Sequence, residues 1–127
     1  MKADRLLLLT PLRKALERIT RKAAPLLADP SLLDHEDGQD RLDVICMQFL
    51  AAGEALTRLE KLEPGLLATN FPEIDWKGAM GFRDVIAHQY FDLDAEQVLL
   101  ICAQALPDML RAVIALEERA RSARRDQ

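Results

Sequence analysis

The strongest constraint on the fold is a helical repeat of apolar residues that runs without interruption from Asp40 to about Leu62. Apolar side chains recur at every third or fourth position, the spacing that lines one face of an α-helix. No window alternates apolar with polar residues for long, so the chain favours helices packed on helices over a sheet. We therefore predict an all-α fold, an antiparallel bundle of four or five helices with this segment as its core helix. Its apolar members are Leu42, Ile45, Cys46, Phe49, Leu50, Ala52, Gly53, Leu56 and Leu59.

A second helical pattern precedes the core helix, from Ala3 to about Leu27. Thr10-Pro11 either begins this helix or kinks it, because proline fits a first helical turn and interrupts an interior one. Pro25 and the sequence Asp29-Pro30 are predicted to end it. Residues 31–39 are polar and acidic, which predicts a loop.

The second half of the chain carries the remaining helical segments. Asp75 is placed to cap a helix that starts at the next residue and ends between His88 and Phe91. The sequence Asp92-Leu93-Asp94 offers an N-cap for the helix after it. Pro107 predicts a kink or a new helix start, and the arginine-rich residues 117–127 are predicted to form an exposed, frayed helix end.

Two single residues in these helices are predicted to serve packing. Gly53 costs about 1 kcal/mol relative to alanine inside a helix, so we expect it to permit the close approach of another helix. Trp76, the single tryptophan, is expected to anchor the core or an interface.

At 127 residues, half of them hydrophobic, the chain is long enough for one core and too short for two ordinary domains. We predict a single domain over residues 1–127. Cys46 and Cys102 lie in apolar runs, which favours free buried thiols, and no cysteine or histidine spacing is typical of a zinc site. The apolar run at residues 6–9 is too short for a signal peptide, which favours a cytoplasmic protein without a membrane segment.

The net charge of −4 is unevenly distributed along the chain. Residues 1–28 hold seven basic and two acidic side chains, residues 29–96 hold five and fifteen, and residues 97–127 hold five and four. RNA-binding proteins usually present a basic face, so the acidic middle argues against tight nonspecific RNA binding. A basic surface forms only if the first helix and the arginine-rich tail lie side by side; otherwise both are solvated faces.

Residues 81–91 concentrate the chain's reactive side chains, Arg83, Asp84, His88 and Tyr90. Asp84 and His88 are four residues apart, so the carboxylate can contact and steer the imidazole. Arg83 and His88 point about 140° apart on an uninterrupted helix. They converge only if the helix ends or tightens near His88, or if two copies of the helix meet across a dimer axis. The other histidine, His35, is predicted to be a surface residue.

An arginine beside a histidine suits chemistry on an RNA phosphodiester. The guanidinium matches two phosphate oxygens and stabilises charge that develops on them. Histidine, which ordinarily titrates near pH ~6.5, can take a proton from the ribose 2′-hydroxyl or give one to the leaving oxygen. RNA carries its own nucleophile, so this chemistry requires no metal or cofactor. An arginine and a histidine near a helix end also occur as a capping or surface pair.

The run from Arg83 to Tyr90 resembles the R-x4-H-x-Y motif of the HEPN superfamily, specifically its HepT-like toxins. The similarity extends over roughly residues 40–115 and includes Gly53-Glu54-Ala55, the segment from Phe71 to Trp76, and Leu106-Pro107. This resemblance implies an all-helical homodimer in which Arg83 and His88 act in metal-independent RNA cleavage. It further implies that Tyr90 accepts AMP from a cognate minimal nucleotidyltransferase antitoxin, which silences the toxin.

One residue departs from the family pattern. Many relatives carry asparagine after the arginine, whereas this chain has Asp84, and a negative charge beside Arg83 weakens phosphate binding. The alternative hypothesis is therefore a non-catalytic module, a nucleotide-binding or regulatory partner subunit of a nucleotidyltransferase.

Overall fold

The computed structural model describes residues 4–126, most of which belong to six α-helices. No strand occurs within this range, so the predicted all-α bundle is confirmed. The predicted helix start at Ala3 and the last tail residue, Gln127, lie outside the described residues. The helices are α1 (Leu6–Ala28), α2 (Glu36–Leu62), α3 (Leu66–Asn70), α4 (Trp76–Gln89), α5 (Ala95–Gln104) and α6 (Leu106–Arg125), with 3₁₀ segments at Pro30–Asp34 and Tyr90–Asp92.

Contacts between helix ends show that the long helices run antiparallel. Arg5, which precedes α1, pairs with Glu63, which follows α2, at 2.9 Å. Asp4 pairs with Arg124, near the end of α6, at 3.0 Å. α1 is therefore antiparallel to both α2 and α6.

The apolar faces of these helices meet in one continuous cluster of buried side chains. Complete burial of a leucine-sized side chain contributes about 1.5–3 kcal/mol, so this cluster is the main source of stability. Trp76 is buried as predicted, and its indole nitrogen donates to the Phe71 carbonyl at 2.9 Å. The most deeply buried large side chains are Leu9, Leu12, Leu16, Ile19, Leu26, Ile45, Leu56, Leu59, Leu67, Ile86, Val98 and Val113.

Neither Pro11 nor Pro25 begins or ends α1, and the predicted alternative of a kink at Thr10-Pro11 stays a prediction. The helix begins at Leu6, so Thr10 does not start it, and both Pro11 and Pro25 lie inside it. A proline in a helix interior costs about 3 kcal/mol. Burial of apolar side chains on both sides of each proline offsets this cost. The helix ends at Ala28, just before Asp29-Pro30, as predicted.

The predicted loop at residues 31–39 was wrong in its second half, because α2 begins at Glu36. Glu36 and Asp37 occupy the first turn, where carboxylates interact favourably with the positive end of the helix. Acidic composition therefore marked a helix start here as well as a connection. The predicted end of α2 at Leu62 is confirmed.

Both predicted aspartate caps are confirmed. Asp75 accepts a hydrogen bond from the Gly78 amide at 2.9 Å, and Asp94 accepts from the Glu96 amide at 3.0 Å. Pro107 lies in the first turn of α6, which starts a new helix bent by 50° from α5. Among the described residues no single helix has the length and apolar character to cross a membrane; only α5 and α6 taken together pass that test.

The tail does not fray where it was predicted to. α6 continues to Arg125, and Glu117 is buried with its carboxylate 2.8 Å from the Arg13 guanidinium of α1. Burial by itself raises the pKa of Glu117, but the neighbouring Thr10 hydroxyl and the hydrogen-bonded Arg13 guanidinium outweigh burial and lower the pKa below its ordinary value. The first helix and the arginine-rich tail therefore lie side by side.

Candidate functional site

Arg83 is positioned by the close packing of α2 on α4. A methyl group added at Gly53 would lie 2.8 Å from the Arg83 Cβ and 3.6 Å from the Ala79 carbonyl oxygen. Real Cβ atoms essentially never come this close, so only glycine at position 53 allows the two helices to approach as they do. The predicted role of Gly53 in helix packing is confirmed.

Two carboxylates contact the Arg83 guanidinium. Arg83 donates through Nη1 to Glu54 at 2.5 Å, and its Nε lies 3.5 Å from Asp84. Arg58 also donates to Glu54, at 3.2 Å. The Arg83 side chain keeps 30% of its surface exposed, and the described residues provide no hydrogen bond to Nη2. The outer edge of the guanidinium can therefore still bind an anion.

His88 lies in the last turn of α4 and is exposed. Because α4 continues to Gln89, Arg83 and His88 stay on one unbroken helix and point about 140° apart. The helix ending near His88 was correctly predicted, but a single chain does not bring the two side chains onto one face. Within residues 4–126, no ion pair joins Asp84 to His88; the Asp84 carboxylate instead lies beside Arg83.

Tyr90 lies in the 3₁₀ turn after α4, with 44% of its surface exposed. Its hydroxyl donates a hydrogen bond to the Asp43 carboxylate of α2. This hydrogen bond, with smaller contributions from burial and the charge of Asp43, raises the pKa of Tyr90 to about 12. The ring contacts Phe91 edge to face, and Phe91 is 95% exposed.

Asp43 is a site residue that was not predicted from the sequence. It is 47 residues from Tyr90, and in the helical repeat it is only one of several exposed polar positions on α2. The one sequence feature that could have indicated Asp43 is its spacing of eleven residues from Glu54, which places both carboxylates on the same face of α2. Nothing in the sequence near either residue predicts that Asp43 faces the tyrosine.

The remaining titratable candidates do not join this site. His35 is exposed at the start of α2, as predicted, and Cys46 and Cys102 are free and buried, as predicted. Burial raises the pKa of Cys46 to about 11 and that of Cys102 to about 12, which keeps both thiols neutral and unreactive. Across residues 4–126, no three histidine, cysteine, aspartate or glutamate side chains are grouped to hold a metal ion.

The fold and the site together define a small all-helical protein that presents an arginine, a histidine and a tyrosine along one helix and the turn after it. Its sequence matches the family described as HepT-like ribonuclease over residues 12–116. The match covers most of the chain, including all of α2, α4 and α5, so the protein belongs to this family of the HEPN superfamily. No solved structure matches the chain.

Proposed function

We propose that the protein is the toxin of a toxin–antitoxin module and acts as a metal-independent endoribonuclease. The observation that carries this proposal is the family match combined with the accessibility of the two candidate catalytic groups. Arg83 presents part of its guanidinium to solvent, and His88 is exposed in the last turn of the same helix.

The proposed reaction is an internal transfer at the RNA phosphate. The ribose 2′-oxygen bonds to phosphorus, the bond from phosphorus to the 5′-oxygen breaks, and a 2′,3′-cyclic phosphate forms. His88 takes the proton of the 2′-hydroxyl while water protonates the leaving 5′-oxygen, or His88 protonates the leaving oxygen while water takes the 2′-proton. The free edge of Arg83 binds the non-bridging oxygens, where negative charge increases in the transition state. Glu54 orients the Arg83 guanidinium, and the nearby Asp84 carboxylate partly offsets the positive charge of that guanidinium.

A second copy of the chain supplies the convergence that one helix lacks. In a symmetric dimer through α4, Arg83 of one copy lies near His88 of the other, and the site occurs twice. The apolar surface along α4 supports this arrangement. Val85 is 40% exposed, and α4 borders an apolar groove of about 470 Å³ that also contains Phe49, Phe82 and Met109. A dimer contact would remove this surface from water.

Tyr90 is proposed as the residue through which the toxin is silenced. In this step the phenol oxygen attacks the α-phosphate of ATP, which a partner nucleotidyltransferase binds, and pyrophosphate leaves. Asp43 already accepts the hydroxyl hydrogen and can take the proton as the new bond forms. The exposure of Tyr90 supports access by the partner, and the added phosphodiester would place negative charge close to the RNA path.

The two carboxylates on Arg83 favour one alternative, a non-catalytic regulatory partner of the nucleotidyltransferase. A phosphate must compete with Glu54 and Asp84 for the guanidinium. If that competition fails, Tyr90 is still available for modification, but RNA is not cut.

Cleavage of labelled RNA in the presence of a chelator tests the proposal. We expect wild type to cut, and Arg83→Ala and His88→Ala to lose at least about hundredfold in rate, the usual effect of losing a charge-stabilising or proton-transferring group. Arg58→Ala is the matched control, because Arg58 also contacts Glu54 but lies outside the motif. Circular dichroism verifies that each variant is folded.

Two results would overturn the nuclease proposal. One is the absence of cleavage by wild type, and the other is equal cleavage by wild type and both motif variants. Transfer of AMP to wild type by the nucleotidyltransferase but not to Tyr90→Phe, with no RNA cut by any preparation, would establish the regulatory alternative.

A further inference from the structure

Three basic side chains on α1 form an outward-facing row, which we call the α1 stripe. Lys14, Arg18 and Arg21 are spaced four and three residues apart, so they lie on one face of the helix. All three are exposed. At 1.5 Å per residue the row is about 10 Å long.

The three side chains of the α1 stripe have no acidic partner within residues 4–126, unlike most of the chain's other arginines. Within residues 4–126, no hydrogen bond or ion pair engages Lys14, Arg18 or Arg21, whereas Arg5, Arg13, Arg58, Arg83, Arg111, Arg121 and Arg124 all contact carboxylates. Positive charges without internal partners are available to an external polyanion.

The surroundings of the stripe have little opposing charge. The stripe lines a shallow depression of about 560 Å³ together with Arg13 and Glu17 of α1 and Gln48 of α2. Glu17 is the single acid there, and the Arg13 guanidinium already pairs with it at 2.7 Å. A second depression, of about 700 Å³, shares Pro11 with the first and is lined by Arg121, Arg124 and Arg125 of α6. Arg121 and Arg124 pair with carboxylates, so within residues 4–126 it is Arg125, which donates to the Ser122 hydroxyl, that extends the positive surface onto the tail.

The stripe lies one helix away from the candidate catalytic arginine. Gln48 of α2 borders the stripe, and Glu54 of α2 contacts Arg83, so α2 separates the two. Leu16 of α1 and Phe82 of α4 line the same groove, which places the stripe and Arg83 at a similar height in the bundle. With neighbouring helix axes about 8–10 Å apart, the axes of α1 and α4 lie no more than about 20 Å from each other, a span of a few nucleotides.

We propose that the α1 stripe binds the phosphate backbone of the RNA strand whose scissile phosphate lies at Arg83. This inference rests on the proposed ribonuclease function. The α1 stripe supplies positive charge that the segment containing α2 and α4 lacks, because residues 29–96 hold fifteen acidic and five basic side chains. Backbone contacts of this kind position a strand without reading its sequence.

Salt-dependent binding of a single-stranded RNA oligonucleotide tests the proposal. Neutralising three phosphate contacts on a single strand should reduce the slope of log K against log salt by about 2, and the affinity at about 0.1 M salt by about a hundredfold. We compare wild type with the triple variant Lys14→Gln, Arg18→Gln, Arg21→Gln. The control variant, Lys61→Gln, Lys77→Gln, Arg111→Gln, removes the same charge from other exposed positions.

We expect the stripe variant alone to bind RNA more weakly and with a smaller slope of log K against log salt. We also expect wild type to bind more tightly when the RNA is long enough to extend from Arg83 to the stripe, and the stripe variant not to gain affinity in this way. Unchanged binding by the stripe variant would overturn the proposal, as would equal losses in both triple variants. Unchanged RNA binding with lost affinity for the partner nucleotidyltransferase would assign the stripe to a protein contact and overturn it as well.

Failure of the stripe and failure of the nuclease function give different results. If cleavage depends on Arg83 but the stripe variant has an unchanged KM for RNA, the proposed role of the stripe is wrong and the proposed nuclease function stands. If the stripe variant loses RNA affinity but wild type does not cleave RNA, the stripe is an RNA-binding surface and the proposed nuclease function is wrong.

Discussion

Replacing Asp43 by asparagine tests how the carboxylate controls the Tyr90 hydroxyl. In wild type the hydrogen bond to Asp43 raises the pKa of Tyr90 to about 12, from an ordinary value of 10.0. Ionising the phenol would break that hydrogen bond and place two negative charges side by side. Asparagine keeps the size of the side chain but removes its charge. We therefore expect the pKa of Tyr90 to fall towards 10 in Asp43→Asn.

The chain has a single tyrosine, so the ultraviolet absorbance of tyrosinate reports on this residue alone. At pH 11, a pKa of about 12 leaves roughly 10% of Tyr90 ionised, and a pKa of about 10 leaves roughly 90%. Circular dichroism on the same samples ensures that the ionisation belongs to the folded chain.

The same shift links Tyr90 to stability at alkaline pH. Its pKa is higher in the folded chain than in the unfolded chain, so the hydrogen bond contributes fully below pH 10, and the contribution is lost as the pH rises towards 12. Asp43→Asn should therefore lose less stability than wild type over this interval. A folded wild-type protein that titrates near pH 10, or an Asp43→Asn variant that titrates like wild type, would refute the role of Asp43.

The other predictions concern packing, burial and assembly. Gly53→Ala should destabilise the protein by about 1–2 kcal/mol in chemical denaturation, because the crowding against α4 exceeds the gain in helix propensity. Gly81→Ala, whose added methyl meets nothing within 4 Å, should instead stabilise it by about 0.5–1 kcal/mol, and equal effects would contradict the packing argument. Glu117→Gln should cost about 1–3 kcal/mol at neutral pH, since Glu117 is buried against a guanidinium. The pKa of Glu117 is lowered by folding, so this difference should narrow as the pH falls below 4.5, and a constant difference would exclude the ion pair as its cause. Mixing Arg83→Ala with His88→Ala should restore about a quarter of wild-type RNA cleavage, because half of the random dimers regain one of two shared sites. No recovery from exchanged subunits would show that the residues do not combine across copies.

The helices of this protein were predictable because their causes are local. The apolar repeat identified α2 and its buried face, and single aspartates identified the starts of α4 and α5. Predictions failed where a local preference competed with burial. Pro11 and Pro25 disfavour an interior helical position, but the apolar face of α1 keeps the helix intact.

The candidate site was predictable only in part, for the same reason. Residue types and spacing indicated Arg83, His88 and Tyr90 as a group and showed that Arg83 and His88 diverge on one helix. Whether a second copy reunites them stays a prediction. The carboxylates of α2 that contact this group, Asp43 and Glu54, depend on distant parts of the chain.

The sequence by itself determined the all-helical fold, the faces that turn inward and the helix that carries the reactive side chains. These properties follow from hydrogen bonds and side-chain spacings a few residues apart. Only the tertiary structure decided which carboxylates meet Arg83 and Tyr90, and that the basic first helix lies beside the tail. Those contacts depend on how two helix surfaces interlock, and at Gly53 the absence of one methyl group sets that fit.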